Sequence, residues 1–307
     1  MSDTVPVSDT ISAVLTEDAE HWIRTYVTPV APPTVEKAKP WATTYRVPTD
    51  DGPVWFKVCA PVQAFEPRLT AHLYRRRPDL VTEVIAHDEG RAWLLMRDAG
   101  TPIAVYGNPP EAWLEVLPRY AELQRGETAH AAGHVAHGVT DRRLAVLPRL
   151  FDELVARDDL PVERDELPET GAVASLCGEL AARGIPDSVQ HDDLHMGNVA
   201  ERDGVLRIMD WGDSSIAHPF FSLVVTFRFL EEKLPPGDPW FARLRDAYLE
   251  PWGRGLEDTF ELAQRVGWVA HALGWARIRD HVPAEDHALF EQWYPRILRR
   301  AFAGIDS

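Results

Sequence analysis

Between Val189 and Ser215 the chain reads VQHDDLHMGNVAERDGVLRIMDWGDSS, and no other stretch narrows its possible folds as much. Gly197 and the preceding Pro186 oppose a continuous helix across the two histidines. Two short apolar runs then flank Arg-Asp-Gly, the pattern of a β-hairpin. A loop carrying His191, Asp193 and Asn198 is therefore folded back beside a strand end carrying Asp210.

Two chemistries suit this arrangement. His191 and His195, four residues apart, would hold zinc if they shared a helical face, giving a metal-dependent hydrolase. The loop context and the absence of a glutamate directly after His191 oppose that. Alternatively, a loop aspartate orients or deprotonates an attacking hydroxyl, while an asparagine oxygen and a second carboxylate hold magnesium on nucleotide phosphates.

The second chemistry comes with a resemblance. HDDLHMGN fits the H-x-D-x-x-x-x-N catalytic loop of kinases, and IMDWGD resembles their metal-binding Asp-Phe-Gly segment. The wording around both is similar to the aminoglycoside phosphotransferase and choline kinase branch of the protein-kinase-like superfamily. That likeness implies an α+β, bilobal fold with an antiparallel sheet in a small lobe and a large, mostly helical lobe. It implies Asp193 as the catalytic residue and Asn198 and Asp210 as the metal ligands. His191 would brace the loop, His195 would brace it or line the pocket, and Asp213 ranks below Asp210. The cofactors implied are Mg2+ and ATP, with GTP as the other possible donor.

The N-terminal part fits such a small lobe. WATTYRVP and VWFKVCA are rich in β-branched and aromatic residues and are joined by Thr-Asp-Asp-Gly, so they read as a hairpin. A helix from about Phe65 and two further strands around Asp-Glu-Gly follow. Ile11, Val14, Leu15, Ala19, Trp22, Ile23 and Tyr26 form one helical stripe, with Ser8 or Asp9 as its cap. TPVAPPTVEKAKP reads as an extended connector. In this frame Lys57 contacts the nucleotide phosphates and Glu66 pairs with it, Glu83 being the second choice. Met96, Arg97 and Asp98 offer backbone to the adenine edge, and Val58 and Ile208 pack on the ring.

Helical spacing then dominates, in segments near 111–125, 141–156, 170–183 and 220–233 and from Pro239 onward. The boundary falls at Asp98–Gly100, dividing a nucleotide-binding lobe (1–98) from a catalytic and substrate-binding lobe (99–307). Two departures from the family pattern stand out. No glycine-rich loop precedes Lys57, which motivates a catalytically silent nucleotide-binding module as the alternative function. Asp192 stands where the family commonly has glycine.

The net charge of −16, from 48 acidic and 32 basic residues, disfavours nucleic acid as a partner and favours a cationic acceptor. An aminoglycoside-like antibiotic, another cationic antibiotic or an amino sugar would suit, phosphorylated on a hydroxyl. Six acids between Asp158 and Glu169 offer a lid for it, or simply a solvated loop. Trp240, Trp252, Trp268 and Trp275 would be core or a cation-binding wall. Only Cys59 and Cys177 are present, no run of about eighteen apolar residues occurs, and the first residues lack a basic leader. A cytoplasmic enzyme away from membranes, monomeric or homodimeric, is expected.

Overall fold

A computed structural model describes residues 15–306. Helix α1 (Glu17–Tyr26) is capped by Thr16, whose hydroxyl accepts a hydrogen bond from the Ala19 amide. The expected caps Ser8 and Asp9, with Ile11 and Val14, lie outside the described residues.

The strands β1 (Thr34–Lys39), β2 (Ala42–Val47) and β3 (Val54–Cys59) precede helix α2 (Glu66–Arg76). With β4 (Val84–Asp88) and β5 (Trp93–Arg97) they make one antiparallel sheet in the order β1-β2-β3-β5-β4. Strand β1 corrects the sequence reading, which made Thr34–Lys39 part of an extended connector. Its exposed charged residues and prolines on both sides hide the strand, which is held by its register with β2.

The large lobe opens with β6 (Thr101–Pro102), α3 (Pro110–Glu127), α4 (Ala131–Ala136), β7 (Thr140–Asp141), α5 (Leu147–Val155) and α6 (Ala172–Ala182). It continues with β8 (Ser188–Gln190), the hairpin β9 (Val199–Arg202) and β10 (Val205–Ile208), and β11 (Ser215–Ala217). Helices α7 (Leu223–Leu230), α8 (Pro239–Leu249), α9 (Glu257–His281) and α10 (Tyr294–Asp306) complete it. The chain crosses between lobes at Gly100, where φ is +103° and an added Cβ would collide with the Glu201 backbone. Glycine is needed there on both counts.

Alternation along β3 sends Phe56 to one face, buried with Trp22, Tyr45, Trp93 and α1, and Lys57 to the other. Helix α2 buries Phe65, Leu69 and Leu73 in a second, larger core that includes Trp113, Tyr120, Trp211 and Phe220. Glu66, at the start of α2, is thereby held by the large core while it faces the sheet. Among the described residues no helix is long and apolar enough to cross a membrane.

Candidate active site

A cleft of about 380 Å³ lies under the sheet, lined by Trp55, Lys57, Met96–Gly100, Asn198, Met209 and Asp210, among others. Lys57, which the alternation rule alone would leave facing solvent, is 5% exposed. Its Nζ stands 2.6 Å from Glu66 Oε2 and 2.5 Å from Asp210 Oδ1. Two carboxylates, one nine residues along the chain from Lys57 and the other 153, thus converge on one amine. Burial opposes the ammonium, but the charges of Asp210 and Glu66 overcome it and hold the Lys57 pKa well above its usual value. Burial raises the Glu66 pKa, with Lys57 acting against it, and Asp210 is pulled low despite burial by Lys57 and Lys37.

Glu83 is exposed and lies 3.5 Å from Arg97 Nε, so Glu66 is the partner of Lys57. Met96, Arg97 and Asp98 line the cleft. Ile208 does not. It is fully buried in the large core, its amide donating to Leu80 O at 2.7 Å, and the next residue, Met209, takes the place at the cleft. Val58 likewise packs toward α1, on the opposite face from Lys57, so Trp55 and Thr44 line the cleft instead. Both corrections follow from strand alternation, which sends neighbouring side chains to opposite faces.

The loop from His191 to Asn198 is tied down from within. His191 is buried, donates from Nε2 to Met209 O at 3.0 Å and accepts the Asp193 amide on Nδ1 at 3.3 Å. This is the bracing role expected of it, and both ring nitrogens are occupied by it. His195 accepts the Gly197 amide on Nδ1 and points Nε2 at Asp193 Oδ2, 3.3 Å away. The two histidines therefore serve the loop rather than a shared zinc ion. Among the described residues, the grouping able to hold a metal through histidine lies elsewhere, at His72, Glu127 and His134.

Asn198 Nδ2 donates to Asp193 Oδ2 at 3.0 Å and to Asp193 O at 2.9 Å. Burial works to raise the Asp193 pKa, but the charge and hydrogen bond of His195 outweigh it and keep it below the usual carboxylate range. Asp192 and Asp210 both have φ of +63°, a backbone region aspartate enters more readily than most residues. At Asp192 that conformation makes glycine a natural occupant of the position. The carboxylate here is turned away from solvent and bound by buried Arg142, Nη1 to Oδ2 at 2.6 Å.

A second cavity, of about 200 Å³, opens on the other side of Asp193. Its walls include Trp41, Trp275 and Phe290, with Arg142, Arg277 and Asp213 adding charge. Trp41 belongs to the two-residue turn between β1 and β2 and meets Phe290 edge-on at 6.5 Å. That turn takes the place of the missing glycine-rich loop and reaches across to the large lobe. Asp213 accepts from Gln63 at 2.9 Å. Burial, with the charges of Asp193 and Asp210, pushes its pKa up to about 7.

Residues 158–169 line neither cavity. Asp159 pairs with Arg157 and Arg279, Glu166 with Arg299, and Asp158 with Arg164. Trp240, Trp252 and Trp268 pack against the large core, and of the four tryptophans only Trp275 also reaches a cavity. Sequence reasoning passed over Arg142, Arg277, Gln63 and Lys37. They sit on separate elements without a motif of their own.

A buried lysine clamped between a helix glutamate and an aspartate after a hairpin, beside an Asp–Asn loop, defines the site of a kinase-like phosphotransferase. The profile of the phosphotransferase enzyme family matches residues 40–263, and the chain belongs to that family, a small-molecule kinase by class. A search of curated proteins found no match. Among solved structures, the fold is similar to a choline/ethanolamine kinase family protein from Mesorhizobium loti (17% identity, TM-score 0.57, 90% of this chain and 92% of that one covered). It is also similar to the choline kinase LicA from Streptococcus pneumoniae (14%, 0.60, 94% and 99%). A third similar structure is an amicoumacin kinase in complex with AMP-PNP, Ca2+ and Ami (10%, 0.59, 94% of each chain).

Proposed function

We propose that the chain transfers the γ-phosphoryl group of ATP, chelated by Mg2+, to a hydroxyl of a small molecule held in the Trp41–Trp275–Phe290 cavity. The observation carrying this reading is the Asn198–Asp193 bond. Asn198 lines the cleft under the sheet, Asp193 lines the second cavity, and the 3.0 Å contact joins the two spaces. A donor on one side and an acceptor on the other would meet there.

The donor set suits a hard cation. The Asn198 amide nitrogen is committed to Asp193, leaving its oxygen for the cleft, and Asp210 offers a carboxylate. Asp193, Asp210 and Asp213 also crowd negative charge together, a part of the raised Asp213 pKa after burial, and a divalent cation would relieve it. Mg2+, when bound by Asn198 and Asp210, would neutralise charge on the phosphates. Lys57, positioned by Glu66, would contact the phosphates, and backbone at Met96–Asp98 would receive the base. The AMP-PNP bound by the amicoumacin kinase, whose fold is similar, favours an adenine nucleotide over GTP.

Asp193 would accept a hydrogen bond from the acceptor hydroxyl. Its depressed pKa makes it a weak base, so its main work would be orientation, which suits a transfer whose transition state is loose. In the acceptor cavity Asp192 is neutralised by Arg142, and the remaining charges of Asp193 and Asp213 stand against Arg277. This near balance lends no weight to the cationic acceptor expected from net charge. The aromatic walls suit a molecule with a flat or apolar face next to its hydroxyl. With two free, buried thiols, Cys59 and Cys177, the enzyme would act in the reducing cytoplasm.

The test is transfer from ATP and Mg2+ to a panel of hydroxyl compounds, read by the mass gain of one phosphoryl group. Asp193→Asn should lower kcat by about 10²–10⁴-fold, with circular dichroism and nucleotide binding unchanged. Undiminished turnover by that variant would refute the assignment. Nucleotide binding without transfer to any acceptor would favour the silent module.

A further inference from the structure

Away from the cleft, where the end of α3 and α4 meet α2, a group of histidines surrounds one buried carboxylate. Glu127, the last residue of α3, is 1% exposed. His72 Nε2 from α2 and His134 Nε2 from α4 each lie 2.9 Å from the same oxygen, Glu127 Oε2. The three donor atoms lie within 4.8 Å of one another. We propose that His72, Glu127 and His134 form a zinc site of two imidazoles and one carboxylate, with the remaining position open to water.

Four observations support this. Two imidazoles and a carboxylate are the donors of borderline transition metals, chemically distinct from the oxygen set at Asn198 and Asp210. A tetrahedral zinc with bonds of about 2.0–2.2 Å separates its ligand atoms by about 3.4 Å. The present spacing, 2.9 Å along two edges and at most 4.8 Å overall, brackets that distance, so small side-chain adjustments suffice.

The carboxylate is already oriented. Arg76 Nε holds the other oxygen, Oε1, at 2.5 Å and its Nη2 donates to Gly126 O at 3.0 Å, leaving Oε2 to the histidines. Such outer partners commonly fix metal ligands. Finally, an entry path exists. A cavity of about 350 Å³, lined by His72, His130 and His134 together with Arg68, Arg75 and Glu89, opens beside the site. His130 meets His72 edge-on at 5.1 Å.

In the metal-free protein each Nε2–H donates to Oε2. On binding, each Nε2 proton passes to solvent and Nδ1 carries the N–H of the ring, taken up from solvent, so that a neutral imidazole presents its Nε2 lone pair to the ion. The ligands come from α2 on one side and from α3 and α4 on the other. Zinc would therefore fasten the helix that bears Glu66 to the α3–α4 corner. This does not rest on the proposed reaction, since the site shares no residue with the cleft.

The experiment uses the untagged, full-length protein in excess Mg2+, titrated with Co2+ and then with Zn2+. The visible absorption of low-coordinate cobalt should rise to one equivalent and be abolished by one equivalent of zinc, and zinc should raise the thermal midpoint. His134→Ala should lose both responses. So should His72→Ala, at a half-buried position where folding is easily checked by circular dichroism. Asp210→Asn should keep them, separating this site from the cleft. Absence of cobalt absorption in the wild type, or its persistence in both histidine variants, would overturn the proposal.

Discussion

Replacing Lys57 by methionine tests the central clamp. Glu66, its side chain 1% exposed, would keep its carboxylate but lose the amine 2.6 Å away. Asp210 loses the same amine, yet its side chain is 35% exposed and water takes over. The penalty therefore falls on Glu66. Its pKa is already raised by burial, with Lys57 acting in the opposite direction, so the substitution raises it further. The sign follows from linkage. An acid whose folded pKa lies above its unfolded value binds more protons when folded, so stability falls as pH rises beyond the unfolded pKa of about 4.3. The variant should lose little at pH 5 and, at pH 7.5, about 3–5 kcal/mol, the cost of breaking a buried ion pair by removing one partner. Urea unfolding at both pH values measures this, with the double variant Lys57→Met, Glu66→Gln as control. The double variant should recover most of the loss at pH 7.5. Equal losses at the two pH values, or a double variant no more stable than the single one, would refute the reasoning.

Gly212 follows Trp211 within the Asp-Trp-Gly run that begins at Asp210, and a Cβ there would lie 2.6 Å from Gln63 Cδ and 2.7 Å from Glu66 Oε2. Gly212→Ala should therefore push Glu66 off Lys57, destabilise by about 1–3 kcal/mol and reduce turnover; unaltered melting and kinetics would exclude this. For Asp213, with a folded pKa of about 7, the raised value makes stability fall as pH rises from about 4 to 7 and level off above. Asp213→Asn should remove that part of the pH dependence, which urea midpoints between pH 5 and 8 will reveal.

The fold was legible where periodicity was strong. The β2–β3 hairpin, α2, the β4–β5 pair and the β9–β10 hairpin fall where alternation and turn residues place them. Strand β1 was not legible, because TVEKAK is charged and mostly exposed, and an edge strand of that kind has no buried face to print a pattern. The two- and three-residue strands β7, β8 and β11 are too short for any period. Helix α5 begins at Leu147 rather than near Asp141, since Thr140 and Asp141 are drawn into pairing with β11.

At the site, the motif residues Lys57, Glu66, Asp193, Asn198 and Asp210 were readable because each belongs to a local pattern. The placement of Ile208 failed by a single step along its strand, and in a strand one step reverses the face. Arg142, Arg277 and the histidines around Glu127 lie on separate elements and meet only through tertiary packing, which no linear pattern encodes.

Helix α2 buries Leu69 and Leu73 in the large core and also packs against β4, so Lys57 is held by one acid beside its own sheet and by one from the large lobe. Helix α1 covers the opposite face of that sheet, and Lys57 reaches from it to the segment after β10. Any swing of the sheet that widens the mouth of the cleft must draw the Lys57 ammonium away from the Asp210 carboxylate. Widening the cleft would thereby leave a single buried ammonium short of one of its two counter-charges.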